Sequence, residues 1–147
     1  MSLLVTIDFS AVTDAQLETV DRLASPGREI HLLHVTEPDP SFVGLAAGPE
    51  EVQHQVANEL QQAGDELDAL ADRLRANGHT VETLLVSGPT VQTILEQAEK
   101  LDAELIVMGS HGRGKLFDLV VGSVSAGVIR KSPVPVLVVP ARKHPAA

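Results

Sequence analysis

Apolar positions along the chain fall into two alternating patterns: short continuous runs, and stripes with helical spacing. LLVTID (3–8) predicts a first strand, and residues 13–24 predict a helix with Leu17, Val20, Leu23 and Ala24 on one face. EIHLLHV (29–35) predicts a second strand. TEPDPSFVGLAAGPE (36–50) is rich in proline and glycine and predicts a loop whose role the sequence leaves open. A long helix follows over about 51–76, where Val56, Leu60, Ala63, Leu67, Leu70 and Leu74 are spaced 4-3-4-3-4. That spacing also suits a coiled coil, but one amphipathic helix lying on a sheet accounts for it. Gly78 marks the stop.

TVETLLV (80–86) predicts a third strand. Gly88-Pro89 then opens a helix, with proline in its first turn and Val91, Ile94, Leu95, Ala98 and Leu101 inward. ELIVM (104–108) predicts a fourth strand whose last four positions are apolar, as expected where both faces are buried. A short helix over 123–131 and a last strand, VPVLVVP (134–140), close the pattern. Pro135 cannot donate to a ladder, so that strand is expected at a sheet edge.

Five strands alternating with four helices predict an α/β fold. The sheet is a single open, doubly wound, five-stranded parallel sheet with helices on both faces, Rossmann-like. One domain is expected over 1–141, with 142–147 as a loose tail. Such sheets bind ligands beyond the C-terminal ends of their strands, where the strand order reverses. Asp8, Val35 and Gly109 fall at those ends and are expected to gather at one edge.

Composition narrows the function classes. The chain of 147 residues suits one domain, able to bury about 70% of its unfolded surface. No apolar run approaches the ~20 residues of a membrane span. MSLLVTIDFS has no basic start, and Asp8 interrupts its apolar run, so it predicts a strand and not a signal peptide. The absence of cysteine excludes a disulfide framework and suits a cytoplasmic location. A formal charge of −9 disfavours nonspecific binding to nucleic acid or anionic membranes, and three phenylalanines are the only aromatics available for base stacking. The charge is uneven: residues 109–131 carry +3, from Arg113, Lys115, Arg130 and Lys131 against Asp118, which leaves −12 on the rest. That patch suits a small anionic ligand; Arg130 and Lys131 also suit a helix C-terminus.

MGSHGRGKLFDLVVGSVS (108–125) holds four of the eleven glycines and almost spells a P-loop. Gly109, Gly114 and Lys115 fit that template, but Leu116 stands where a hydroxyl must meet magnesium, and ELIVM ends without an acidic residue. The dinucleotide fingerprint also fails, because Phe117 replaces its third glycine. The longer pattern is more particular: Gly109, two residues, Gly112, nine residues, then Gly122-Ser123. Glycines admit close approach of the backbone to a phosphate, and Gly122-Ser123-Val124-Ser125 at a helix start offers N–H groups, hydroxyls and the positive dipole end. A glycine turn followed by a serine-capped helix fits the same residues.

In this context the sequence resembles the universal stress protein family, in its ATP-binding branch, over nearly the whole chain. LLVTIDFS, LLHV, IVMGSHGRG and GSVSAGVIRKSPVPVLVV carry the resemblance, and the Gly-x2-Gly-x9-Gly-Ser spacing is its specific part. The resemblance implies ATP, with Mg2+ as an optional companion. It implies Thr6, Ile7 and Asp8 near adenine and ribose, and Val35 and the Met108 backbone against the base. Gly109 and Gly112 would line the ribose–phosphate turn, and Gly122, Ser123, Val124 and Ser125 would hold phosphates. Arg113 and His111 are phosphate neighbours without a firm role. Members that do not bind nucleotide tend to lose these glycines or the hydroxyl residue; this chain keeps them all. The family reading is a stress-response regulatory module, homodimeric through residues 134–139. Hydrolysis would be slow or absent, since no water-activating base or committed magnesium ligand is visible. The alternatives are a slow ATPase or phosphotransferase using the same pocket, with Asp8 assisting a metal, and a nucleotide-free partner-binding dimer.

The six histidines form no metal signature. His31 and His34, three apart on a strand, point to opposite faces and read as packing or surface residues. Ser123 and Ser125 have no acid–base partner nearby in sequence and are not expected to act as nucleophiles.

Overall fold

The structure, a computed structural model, describes residues 2–37, 50–110 and 122–140. Its strands are β1 (Ser2–Thr6), β2 (Glu29–Thr36), β3 (Thr80–Ser87), β4 (Ala103–Gly109) and β5 (Val136–Val139), and its helices are α1 (Thr13–Leu23), α2 (Glu50–Ala76), α3 (Thr90–Lys100) and α4 (Ser123–Lys131). The sheet is parallel throughout, in the order β3-β2-β1-β4-β5. Helices cover both faces, so the fold is the expected open α/β sheet.

Alternation along each strand divides the core in two. Leu3, Val5, Ile30, Leu32, Val81, Val107 and Val139 face Leu17 and Val20 of α1 and Leu67, Ala71 and Leu74 of α2. Leu4, Leu33, Ile106 and Met108 face Ile94 and Ala98 of α3 and Val128 of α4. The register Leu4↔His31↔Glu82 keeps each face in step across β1, β2 and β3.

Several details depart from the expectations. β1 ends at Thr6, so Ile7 and Asp8 lie in the loop beyond it. Pro89 is the N-cap of α3, one residue ahead of its first turn. β5 is an edge strand, but it begins at Val136; Pro135 precedes it and contributes only its carbonyl, which accepts from the Ile106 N–H. The apolar stripe of α2 packs in its C-terminal half alone: Leu67 and Leu74 are buried, while Val56 and Leu60 are exposed at 37% and 39%. Length explains this. A helix of 27 residues spans about 40 Å, whereas the eight residues of β3 span about 26 Å, so the helix outruns the sheet beneath it. Gly78 ends α2 as expected: at φ +94° it lets the chain turn back, and the Gly78 and His79 N–H groups donate to the carbonyls of Arg75 and Leu74.

Candidate functional site

A cavity of about 270 Å³ opens at the C-terminal ends of β2, β1 and β4 and at the first turns of α3 and α4. β1 is the central strand, and the order of connection reverses on crossing from it to β4, which makes this the switch point of the sheet. The volume is just below the ~300–1,000 Å³ range of small-molecule sites.

One side of the cavity is apolar. Leu33 and Val35 of β2 and Ile94 of α3 line it, with Met108 on β4 and Ile7 beyond β1. The loop after β1 is tied firmly to this side. The Ile7 N–H donates to the Leu33 carbonyl at 2.7 Å. His34 Nδ1 lies 2.6 Å from the Ile7 carbonyl, and since a carbonyl only accepts, Nδ1 carries the proton. The Phe9 ring sits 4.7 Å from the His34 ring, with the Phe9 backbone at φ 58°. Gln16, buried in α1, donates to the Thr6 carbonyl at 2.8 Å. Asp8 is exposed at the cavity, and its Oδ1 accepts from the Ser10 N–H at 3.0 Å, turning the chain toward α1.

The other side is built of backbone and small residues: Gly109 and Ser110 at the end of β4, and Gly122, Ser123, Val124 and Ser125 at the start of α4. Two hydrogen bonds clip these together. The Gly122 N–H donates to the Ser110 carbonyl at 2.8 Å, and the buried Ser125 hydroxyl donates to the Gly109 carbonyl at 2.9 Å. Gly122 is the N-cap of α4 and supplies no side-chain cap. The first-turn N–H groups of Ser123, Val124 and Ser125 therefore stand at the positive end of the helix dipole without a side-chain acceptor among the described residues. This changes the division of labour read from the sequence. The Gly122 N–H and the Ser125 hydroxyl proton are engaged in these internal hydrogen bonds, so among the described residues the donors this side still offers are the first-turn N–H groups and the Ser123 hydroxyl.

The neighbouring α3 has its own anion. The Glu37 carboxylate accepts from the Thr90 hydroxyl at 2.7 Å and from the Thr90 N–H at 3.0 Å. These bonds, the hydroxyl first, hold its carboxyl below the ordinary carboxylate value. Because the folded-state value is lowered, this contribution is fully present above the unfolded value and is lost as pH falls through the folded one. Of the two helix starts at the cavity, only that of α4 lacks a carboxylate from the chain itself among the described residues.

Thr6, Ile7, Asp8, Val35, Met108, Gly109, Gly122, Ser123, Val124 and Ser125 are thus gathered in one place. Gly112 and Arg113 lie outside the described residues, as do His111 and Lys115. The sequence reading missed Leu33, His34, Thr90, Ile94 and Ser110. Thr90 and Ser110 carried a usable signal, since one opens a helix and the other follows a strand. His34 carried none, because a histidine on a strand reads equally well as packing.

A model of the universal stress protein family matches residues 1–140. The universal stress protein MJ0577 of Methanocaldococcus jannaschii is 30% identical over 145 residues, covering 90% of each chain. Its solved structure superposes with a TM-score of 0.80 over 98% of both chains. Two more distant structures share the fold. A universal stress protein in complex with cAMP is 23% identical, with a TM-score of 0.64 over 97% of this chain and 98% of that one. One from Archaeoglobus fulgidus in complex with dAMP is 20% identical, with a TM-score of 0.62 over 95% of this chain and 97% of that one.

Proposed function

This chain belongs to the universal stress protein family, and on that premise we propose that it is an adenine-nucleotide-binding regulatory protein of the ATP-binding branch. The observation that carries the reading is the two-sided cavity. Its apolar side, formed by Leu33, Val35, Ile94 and Met108, suits a base, and its far side ends on the uncapped start of α4, which suits phosphates. β1 lies between the two sides, so Thr6 and Asp8 fall where a ribose would join base to phosphate. The cAMP and dAMP complexes are of other proteins with this fold and support the class of ligand. ATP is the member of that class favoured by the intact Gly109, Gly112 and Gly122-Ser123 spacing.

Asp8 and His34 are the titratable side chains among the described lining residues. Asp8 is engaged with the Ser10 N–H and His34 with the Ile7 carbonyl, and among the described residues neither is hydrogen-bonded to a hydroxyl that it could activate. The reading is therefore nucleotide retention with little turnover, and Mg2+, when bound, would find its protein oxygen at Asp8. The test is mass spectrometry of small molecules released from freshly purified, denatured protein. Recovery of ATP is expected. Recovery of no nucleotide, together with no uptake of added ATP, would sink the reading, and recovery of ADP alone would favour turnover.

We also propose that the chain pairs with a second copy through β5. That strand, VLVV, stands at the sheet edge with Val136, Leu137 and Val138 only half-buried, an apolar edge of the kind that natural proteins cover. Light scattering at tens of micromolar should give twice the chain mass; the mass of a single chain would remove the proposal.

A further inference from the structure

A cluster of titratable side chains stands at the opposite end of β2. Glu29 and His31 lie two apart on this strand and share a face, and Glu82 lies directly across from His31 on β3. One ligand atom from each of the three lies within 4.8 Å of the other two. Glu29 Oε1 is 3.2 Å from His31 Nε2, and Glu82 Oε2 is 3.5 Å from His31 Nδ1. The histidine is only 2% exposed, and its Nδ1 has no hydrogen-bond partner among the described residues. A buried ring nitrogen left without a partner carries an uncompensated desolvation cost, so its retention beside Leu4 and Leu33 needs a cause.

We propose that Glu29, His31 and Glu82 bind a divalent transition-metal ion of the Zn2+ class. The donors are one imidazole nitrogen and two carboxylates, which matches the N/O preference of Zn2+ and leaves a position for water. Ca2+ would require six to eight oxygens, and the chain has no cysteine to build a thiolate site. The buried imidazole is fixed in place. Glu82 stands beside Nδ1 and Glu29 beside Nε2, so an ion held at Nδ1 requires Glu29 to swing around the ring edge; side chains 51% and 66% exposed, for Glu29 and Glu82, have the room to do so. Arg28, next to Glu29 in the chain, is paired with Glu104. Leu33, the nearest cavity-lining residue on this face of β2, is two residues from His31, roughly 7 Å along the strand, and none of Glu29, His31 and Glu82 lines the nucleotide cavity.

The test is calorimetric titration of Zn2+ into the nucleotide-free full chain, followed by Co2+ titration monitored on the histidine ring signals by NMR. One ion per chain is expected, with the His31 ring responding before those of His34, His54, His79, His111 and His144. Glu82→Gln, isosteric at an exposed position, should bind at least tenfold more weakly, and Glu29→Gln likewise, while both still take up ATP as the parent does. The proposal is overturned by an affinity within twofold of the parent in Glu82→Gln, by another histidine responding first, or by no binding up to millimolar metal.

Discussion

Gly122→Val is expected to abolish the stabilisation of this protein by ATP while leaving its fold in place. At a hundredfold excess over Kd, a ligand that binds only the folded state adds about 2.7 kcal/mol, which for a chain of this size raises Tm by roughly 5–11 °C. Gly122 sits at the cavity wall as the N-cap of α4 with φ −59°, a backbone angle that valine also adopts. A Cβ there would stand 3.2 Å from the Ser110 carbonyl oxygen, which already accepts the Gly122 N–H, so the clip between β4 and α4 must give by a few tenths of an ångström to admit it. A branched side chain in place of a glycine N-cap costs on the order of 1 kcal/mol in the unliganded protein. The remaining consequence is steric: valine methyls at the start of α4 take space that a phosphate needs to reach the first-turn N–H groups. Thermal melts of parent and variant, with and without ATP, give the answer. A full ATP shift retained in the variant would mean that phosphates do not sit at the start of α4.

The order of elements was legible because each strand is a short apolar run and each helix a 3.6-residue stripe, and because a βαβ chain with short connections leaves few topologies. The cavity was legible for a related reason. Strand ends and helix starts are sequence-local features, and a doubly wound sheet brings them together at one edge. Other features needed three dimensions. The stripe of α2 gives no sign that β3 is too short to cover Val56 and Leu60. Whether Ser125 faces a ligand or clips α4 to Gly109 depends on the approach of two segments sixteen residues apart. The pairing of His31 with Glu82 depends on strand register, which links positions 51 residues apart and leaves no periodic trace.

Gly109 is the clearest case of a residue whose type was anticipated and whose reason was not. In the sequence it reads as a glycine kept so that backbone can approach a ribose or phosphate. In the structure, a Cβ at Gly109 would stand 2.3 Å from Val12 Cγ1 and 3.4 Å from Gln16 Oε1. Carbon atoms in contact stand about 3.5–4.0 Å apart, so the missing Cβ is space already filled by α1. Val12 is 1% exposed, β-branched and part of the core cluster that holds Ile7 and Leu17, so its methyls have little room to move. Gly109→Ala is therefore expected to destabilise the nucleotide-free protein by about 1–3 kcal/mol through overpacking, measured by urea denaturation. The cause can be separated from any effect on a ligand. Val12→Ala removes the obstructing methyls, so the double variant Gly109→Ala, Val12→Ala should be more stable than the two single losses predict, with a coupling of about 0.5–3 kcal/mol. Additivity within about 0.5 kcal/mol would show that the clash with Val12 does not govern this position. With that coupling present, Gly109 is fixed first by the close approach of α1 to β4, and the cavity inherits its shape from a packing constraint that holds in the unliganded protein.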